Sequence, residues 1–181
     1  GKFNVLMVGR YAGEKRQDVL IDACAQCRHR EEIQVILAGK GPLERKYRRQ
    51  AEKLPNPIVM EFYEPARLLE ILHMADLYVH TSDAEIEAMS CMEAFACGLV
   101  PVIADSPRSA TPQFALDQRS LFPAGDAAAL AEKIDWWFEH PQEREEMGKR
   151  YAGHAKQYAL DRSIQQTEEM FRLAIQEQRG R

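Results

Sequence analysis

The sequence has few of the features that mark membrane-spanning or exported proteins. Its longest apolar stretch, Phe95 to Ala104, has ten residues with a proline among them, whereas a membrane span needs about 18 or more apolar residues. The first residues also lack a basic segment followed by an apolar one, so nothing in them predicts secretion. We therefore expect a cytoplasmic protein.

Two common phosphate-binding motifs are also absent. No G-x-G-x-x-G follows the first predicted strand, which disfavours dinucleotide binding, and the chain contains no G-x-x-x-x-G-K-[ST] P-loop. The five histidines are scattered, without an H-x-x-x-H pair. The sequence therefore gives no support for metal ligation, and we expect a site that uses neither a metal nor another cofactor.

The chain has four cysteines, two of which form a C-x-x-C pair. Cys24 and Cys27 have the spacing of a redox or zinc half-site, but no second pair at a matching spacing accompanies them. Both cysteines also continue the apolar positions of a predicted helix. We interpret them as buried core thiols in a reducing compartment.

The charge of the chain is unevenly distributed. A formal net charge of −4 argues against general binding of nucleic acid. From Lys40 to Lys53, however, six cationic residues face only two glutamates. This pattern favours a solvated helix face with i,i+4 ion pairs. A face directed at phosphate or at a membrane surface is the alternative, and it leaves open a peripheral location at the inner face of the membrane.

Length and composition are those of one globular domain. The 181 residues are 45% hydrophobic and 29% charged, which is typical of a folded chain with a proper core. Hydrophobic periodicity predicts strands at Phe3–Val8, Ile33–Ala38, Ile58–Phe62, Leu77–Thr81, Val100–Ala104 and Leu121–Phe122. It predicts helices at Arg16–Arg30, Pro42–Leu54, Pro65–Ala75, Asp126–Glu139, Pro141–Tyr158 and Ser163–Gln178, and a further one at the Glu85–Glu93 segment.

Strands that alternate with helices predict right-handed crossovers and a mostly parallel sheet covered on both faces. The expected fold is therefore α/β: a Rossmann-like, doubly wound parallel sheet followed by C-terminal helices. The chain begins two residues before the first predicted strand. We therefore expect the 181 residues to be one domain of a longer protein.

The segment between Glu85 and Glu93 is the most informative part of the sequence. Eight positions place the second glutamate about 80° around a continuous helix from the first, so we expect the helix to begin between them. Ser90 or Asp83 is a candidate N-cap. The free amides near Met89 would then point at whatever Glu85 contacts, and a helix N-terminus favours anions, phosphate above all. Carboxylates beside such amides are typical of a nucleotide-sugar site.

Other polar residues fall where predicted strands end, and in doubly wound sheets ligands bind beyond the carboxyl ends of the strands. Arg10 and Lys15 share the loop after the first strand and can straddle a diphosphate. The turn at Gly39–Pro42 leaves room for a base or ribose near the backbone. His80 also ends a strand, and either contact with a substrate or a structural role remains open for it.

Taken together, these residues resemble the retaining glycosyltransferases of the two-Rossmann (GT-B) class, family four. The shared pattern consists of Gly9-Arg10 with Lys15, the turn Gly39-Lys40-Gly41-Pro42, Ala75-Asp76 before a strand that leads to Ser82, Glu85 and Glu93 with seven residues between them, and Gly98-x-x-Pro101-Val102. The resemblance covers nearly the whole chain, as the C-terminal, donor-binding half. The segments Ser90–Glu93 and Gly98–Asp117 are similar to the bacterial enzymes of this family that glucosylate cholesterol or diacylglycerol.

The resemblance implies a role for individual residues. Arg10 and Lys15 would hold the donor diphosphate, Glu93 would accept from the ribose hydroxyls, and Glu85 would lie against the donor sugar; the implied catalytic residues are Glu85, Arg10 and Lys15. The implied donor-binding residues are Gly9, Arg10, Lys15, Gly39, Lys40, Glu64, Ser82, Glu85, Ala88, Met89, Ser90 and Glu93. The chain departs from the family at Ile86-Glu87-Ala88, where Pro-Phe-Gly is usual, and at Thr81, which replaces a proline.

The resemblance also implies a reaction. It is the transfer, with retention and without a metal, of a hexosyl group from UDP-glucose or a similar nucleotide sugar to a lipid, sterol or glycan. The acceptor site would belong to an N-terminal domain upstream, and the present chain would bind the donor without turnover. Two alternatives remain open: a non-hydrolysing sugar-nucleotide epimerase of the same architecture, and a non-catalytic nucleotide-binding domain. The base of the donor (UDP, GDP or ADP) also stays open.

Overall fold

The computed structural model describes residues 1–179, except for the side chains of residues 160, 166, 174 and 177–179. Within this range, six strands form one parallel sheet in the order β3-β2-β1-β4-β5-β6. The strands are β1 Phe3–Val8, β2 Ile33–Ala38, β3 Val59–Glu61, β4 Leu77–His80, β5 Pro101–Asp105 and β6 Leu121–Pro123. The chain moves outward from β1 to β3, returns to place β4 beside β1, and moves outward again to β6.

Helices cover both faces of the sheet; four of them connect the strands from β1 to β5, and the others follow β6. The helices are α1 Gln17–Gln26, α2 Glu44–Gln50, α3 Pro65–Met74, α4 Met89–Ala96, α5 Ala127–Glu139 and α6 Pro141–Ala155, followed by α7 Leu160–Arg179. Helix α1 packs against α2 and α5, whereas α4 packs against α6. The predicted doubly wound, Rossmann-like fold with C-terminal helices is confirmed. Its switch point lies between β1 and β4, where such sheets bind ligands.

Several helix boundaries differ from the predicted ones, and for two of them hydrogen bonds show the cause. Helix α1 ends at Gln26 instead of Arg30, because Cys27 is extended (ψ 143°) and buried Asp135 accepts hydrogen bonds from the amides of Arg28 (2.9 Å) and His29 (3.3 Å). Helix α2 begins at Glu44, not at Pro42, after a turn closed by the Glu44 amide on the Gly41 carbonyl at 3.3 Å. In both places a hydrogen bond outside the helix competes with the local helical pattern.

Glycine is required where α4 ends and leads into β5. Gly98 has a φ of +81°, its amide donates to the Phe95 carbonyl at 3.0 Å, and the Leu99 amide donates to the Ala94 carbonyl at 3.1 Å. These two bonds form a Schellman motif, in which a left-handed residue closes the helix. Helix α6 crosses directly over this turn, since a Cβ on Gly148 would lie 2.2 Å from the Gly98 carbonyl oxygen. The turn fixes the position of α4 relative to the sheet.

The structure tests the predictions made for the C-x-x-C pair and for the basic segment between Lys40 and Lys53. Cys24 and Cys27 are buried, and the Cys27 thiol donates to the Ala131 carbonyl at 3.8 Å, so their interpretation as core thiols is confirmed. On the surface of α2, Arg48 pairs with Glu44 four residues earlier, as expected of a solvated helix face. None of the helices within residues 1–179 is long and apolar enough to cross a bilayer.

Helix α7 exposes an apolar stripe. Ile164, Met170, Phe171 and Ile175 recur at helical spacing and are between 48% and 59% exposed. Ala174 belongs to the same pattern, but its side chain lies outside the described residues. Within the described chain, α7 packs mainly against the short 3-10 turn Lys156–Tyr158 that precedes it. The amphipathic helix predicted at Ser163–Gln178 is therefore present, with its apolar face open to solvent.

Candidate donor-binding site

The loops after β1 and β2 form the first of three clefts at the carboxyl ends of the strands. Its volume is about 460 Å³, and its lining consists of Val8, Gly9, Arg10, Ala38, Gly39, Lys40, Gly41, Pro42, Phe62, Tyr63 and Leu68. Four of these are predicted site residues. Arg10 is exposed, and no carboxylate among the described residues forms an ion pair with it. Its guanidinium is therefore available to an anion in this cleft.

The glycines of this cleft are explained by chain packing. A Cβ on Gly39 would lie 2.0 Å from the Gly9 carbonyl oxygen, and one on Gly41 would lie 2.5 Å from the Tyr11 carbonyl oxygen. The two loops therefore touch through their backbones, which only glycine permits at these positions. We expected these glycines to make room for a ligand, but their contact with the neighbouring loop is sufficient to account for them.

Two aromatic residues of the first cleft had no role in the sequence predictions. Phe62 follows β3, is half exposed, and has the Lys40 ammonium 4.1 Å from its ring centroid. Tyr63 lies beside it in the same lining. The sequence does contain a signal for this role, because the two aromatic residues directly follow a short edge strand. An exposed aromatic surface can stack against a planar base.

The second cleft lies at the N-terminus of α4 and brings together five predicted site residues. Its volume is about 510 Å³, and its lining consists of Lys15, Glu85, Ile86, Glu87, Ala88, Met89 and Ser90. Lys15 ends the 3-10 turn Gly13–Lys15, and its carbonyl accepts a 2.8 Å hydrogen bond from the Thr81 hydroxyl. Its ammonium forms an ion pair with the Glu85 carboxylate. Burial would raise the pKa of Glu85, but the hydrogen bond and charge of Lys15 outweigh it and the pKa is lowered.

Helix α4 begins at Met89, between the two glutamates, as predicted, but the N-cap prediction is wrong. The N-cap is Ala88, which has left-handed backbone angles (φ 47°, ψ 51°) and provides no side-chain hydrogen bond. The hydroxyl of Ser90 instead lies 3.0 Å from the Tyr78 hydroxyl, and Asp83 is paired with Arg16 at 3.1 Å. Neither side chain is free to cap the helix. The first amides of α4, at Met89 and Ser90, therefore remain available to an anion.

Replacing Ala88 with glycine is expected to stabilise the domain. A left-handed residue with a Cβ costs roughly 1–2 kcal/mol, and the loss of the buried methyl group offsets part of the gain. We expect the free energy of unfolding to rise by about 1 kcal/mol and the melting temperature by about 2–4 °C, measured by calorimetry. Ala88→Val is the matched control and should melt below the parent chain, because a β-branched residue fits this conformation poorly. A lower melting temperature for Ala88→Gly would contradict strain at this position.

Glu93 borders a third cleft, which continues from the first. This cleft has a volume of about 570 Å³ and is lined by Phe62, Tyr63, Pro65, Leu68, Leu69, Leu72, Glu93, Ala96 and Cys97. It shares Phe62, Tyr63 and Leu68 with the first cleft. Glu93 is exposed on α4, and its carboxylate is therefore accessible at the edge of this apolar surface.

Two predicted site residues lie outside the linings of these clefts. Glu64 is exposed and forms the N-cap position of α3, without a side-chain cap. Ser82 is fully buried, and its hydroxyl has no hydrogen-bond partner within the described residues. The structure therefore brings ten of the twelve predicted donor-binding residues to the clefts and leaves these two beside them.

A buried polar group lies under the second cleft. His80, the last residue of β4, is 1% exposed, and its Nε2 lies 3.7 Å from the nearer oxygen of Glu85. Its Nδ1 lies 3.5 Å from the Tyr78 hydroxyl, which is also buried. Burial lowers the pKa of His80 to about 4; the Glu85 charge opposes this shift and the Lys15 charge adds to it. The ring is therefore neutral at pH 7.

The described residues include no group of three or more histidine, cysteine, aspartate or glutamate side chains arranged to hold a metal ion. The linings of the clefts instead carry three cations and three carboxylates. Lys40 lies after β2 and Glu87 lies before α4; the other four are Arg10, Lys15, Glu85 and Glu93. These four lie at the carboxyl ends of β1 and β4 and on α4, around the switch point of the sheet. Fold and site together define a doubly wound α/β domain whose clefts offer cations and free helix amides at the switch point of the sheet.

The chain belongs to the family Glycosyl transferases group 1, which residues 1–153 match. Among solved structures, it is similar to the catalytic domain of cholesterol-α-glucosyltransferase from Helicobacter pylori, with 48% identity and a TM-score of 0.85. That match covers 88% of this chain and 100% of the other. The GT-B fold predicted from the resemblance is thereby confirmed.

More distant relatives extend the comparison. A putative glycosyltransferase, EpsD, from Bacillus subtilis is 26% identical over 87% of this chain, and the D-inositol 3-phosphate glycosyltransferase of an Arthrobacter species is 27% identical over 97% of it. The chain spans only 42% and 44% of the length of these two relatives. Anabaena Alr3699/HepE, solved in complex with UDP, has the same fold at 24% identity, with a TM-score of 0.83 over 94% of this chain and 48% of its own.

Proposed function

We propose that this chain is the donor-binding domain of a retaining hexosyltransferase. It binds UDP-glucose or a similar nucleotide sugar, and an N-terminal domain of the same protein binds the acceptor. The observation that carries the proposal is the second cleft, where Lys15, Glu85 and the first amides of α4 converge. A cation and a helix N-terminus suit a diphosphate, and a carboxylate beside them suits sugar hydroxyls.

The clefts suggest how the donor lies. The base occupies the first cleft, beside the aromatic surface of Phe62 and Tyr63. Glu93, at the border of the adjoining cleft, accepts from the ribose hydroxyls. The diphosphate lies between Arg10 and Lys15, and the sugar lies against Glu85. Solved structures of Anabaena Alr3699/HepE contain UDP or UDP-glucose, and the shared fold supports the same class of donor here.

The proposed reaction breaks the bond between the anomeric carbon and the diphosphate oxygen, and forms a bond from that carbon to the acceptor oxygen. The acceptor proton leaves with the diphosphate. Negative charge grows on the leaving group, so Arg10, Lys15 and the amides of Met89 and Ser90 stabilise the transition state. The Helicobacter pylori relative is named an α-glucosyltransferase acting on cholesterol. An α-glucoside is the product of retention from an α-linked donor such as UDP-glucose, which supports retention and a sterol or lipid acceptor.

The protein is further proposed to act in the cytoplasm, with peripheral attachment at the inner face of the membrane. Helix α2 supports this location, because Arg45, Lys46, Arg48 and Arg49 are exposed on it. Such a basic face is attracted to anionic lipid headgroups.

Calorimetric titration of the chain with UDP and with UDP-glucose tests the donor proposal. We expect both ligands to bind weakly and to bind equally well with EDTA present, because two cations and a helix terminus already face the diphosphate. A strict requirement for magnesium would contradict metal-independent binding. No binding of either nucleotide would contradict the donor site itself.

Alanine at the two glutamates should separate their roles. Glu93→Ala is expected to weaken UDP and UDP-glucose binding together, whereas Glu85→Ala should chiefly weaken UDP-glucose. The expected losses are about 10–150-fold, the range for a hydrogen bond to a charged group. Glu70→Ala, which removes an exposed carboxylate on α3, is the control. Equal losses of both ligands in both variants would contradict the assigned roles.

A further inference from the structure

We propose that His80 is a positioning residue for the donor sugar: its buried Nε2 lies beneath the Glu85 carboxylate and holds it when Lys15 turns to a bound diphosphate. The inference rests on the proposed function, in which Glu85 contacts that sugar. His80 itself cannot touch a donor, because its side chain is only 2% exposed.

The first observation is an unpaired ring nitrogen. His80 Nε2 has no hydrogen-bond partner among the described residues, although it is buried, and leaving a buried polar atom unpaired is costly. The nearest carboxylate oxygen belongs to Glu85, at 3.7 Å, just beyond hydrogen-bond length. A small movement of Glu85 toward the protein would complete this bond.

Movement of Glu85 toward His80 becomes favourable only when Glu85 loses its ion pair with Lys15. While Lys15 holds Glu85, the carboxylate has a cationic partner at the surface of the cleft. A bound diphosphate attracts Lys15 in the proposed function, and Glu85 then needs another donor. His80 Nε2 lies close enough to replace it. Glu85 therefore stays in place beside the sugar when Lys15 turns to the diphosphate.

The surroundings of the ring favour the required tautomer. A neutral imidazole has one N–H, and its position is set by the group that the other nitrogen meets. A bare Nε2 would face the negative charge of Glu85, so the proton belongs on Nε2. Nδ1 then accepts from the Tyr78 hydroxyl, 3.5 Å away. In the structure the Tyr78 hydroxyl donates to Ser90 Oγ at 3.0 Å, and Ser90 donates to the Val8 carbonyl at 3.5 Å. When Nδ1 accepts the Tyr78 proton, Ser90 rotates its own proton from Val8 to the Tyr78 oxygen.

Binding measurements on three variants of the 181-residue chain test this role. His80→Leu should reduce the preference for UDP-glucose over UDP about tenfold, the low end for a hydrogen bond to a charged group, while UDP affinity stays unchanged. His80→Gln should restore most of the preference, because its amide nitrogen can take the place of Nε2. His140→Leu is the control, since it removes a ring that stacks on Trp136 on the far side of the fold. An unchanged preference in a folded His80→Leu chain would overturn the proposal.

A second measurement needs no nucleotide. The Glu85 carboxyl is followed by carbon NMR as pH is varied. His80→Leu should make it titrate at a higher pH than in the parent chain, with His80→Gln in between, because the Nε2–H directed at the carboxylate from 3.7 Å stabilises its charge even before the bond closes. An unmoved Glu85 titration in His80→Leu would overturn the contact. If no variant, nor the parent, binds either nucleotide while the titration moves as expected, the proposed function fails and the His80–Glu85 contact stands. Thermal melts of all three variants identify any that fail to fold.

Discussion

Replacing Lys15 with alanine is expected to slow glycosyl transfer by about 10²–10³-fold, the usual cost of removing one preorganised charge-stabilising donor. The measurement is the turnover of the complete protein, in which this chain follows its native upstream sequence, with UDP-glucose in excess. The loss should appear in kcat, because the charge on the leaving diphosphate develops only as the sugar departs. Lys15→Arg should retain much of the rate, since it keeps the cation.

The ion pair between Lys15 and Glu85 calls for two controls. Lys53→Ala also breaks a lysine–carboxylate pair, with Asp22, but does so outside the clefts. It should leave turnover unchanged. The double variant Lys15→Ala with Glu85→Ala distinguishes a direct role for Lys15 from one exercised only through Glu85. If the double variant were no slower than Glu85→Ala alone, Lys15 would act only by holding that carboxylate.

The order of strands and helices could be predicted from the sequence because hydrophobic periodicity is a local signal. The predicted bounds of β1 and β2 agree with the structure at every residue, and the other strands differ by about one residue at an end. The predicted C-terminus of α1 was wrong because the signal that ends this helix is not local. Its end is set by Asp135, more than a hundred positions away, whose carboxylate binds two amides of the turn. No local pattern contains that information.

The candidate site likewise has features that local sequence patterns predict and features that they do not. The strand-end rule was enough to bring Arg10, Lys15 and Glu85 to one edge of the sheet. The N-cap prediction failed because it relied on side-chain preference. Serine and aspartate are favoured at N-caps, but Ser90 and Asp83 are bound elsewhere, and the backbone turns through an alanine at positive φ. Residue preferences gave no reason to expect alanine there.

The importance of His80 could not be decided from the sequence. A lone histidine after an apolar run is compatible with a core residue and with a ligand contact alike. Three-dimensional placement resolves part of this question, because it shows a ring that is buried and yet directed at Glu85. The partner is five residues away, but the intervening chain leaves the strand and turns back over it. The sequence alone does not show that Glu85 comes back to lie near His80; the fold does.

The complete protein should transfer sugar, and this chain alone should not. We expect the 181 residues to bind the donor and to transfer it more than about 10³-fold more slowly than the complete protein, because in our proposal a second domain holds the acceptor in a reactive position. The expectation rests on two observations. The chain spans 42% and 44% of two relatives of the same family. Helix α7 also presents an apolar stripe that this domain does not cover, with Phe171 59% exposed.

Two matched variants of α7 test whether a second domain is needed for transfer. Phe171→Asp should leave UDP binding by the isolated chain unchanged and should lower transfer by the complete protein, because we expect the exposed stripe to pack on the N-terminal domain. Arg172→Asp, on the same helix turn but outside the stripe, should affect neither. Transfer is measured onto cholesterol or diacylglycerol in detergent, and a rate by the isolated chain comparable to that of the complete protein would show that no second domain is needed. Interconversion of the free nucleotide sugar without an acceptor would instead favour an epimerase.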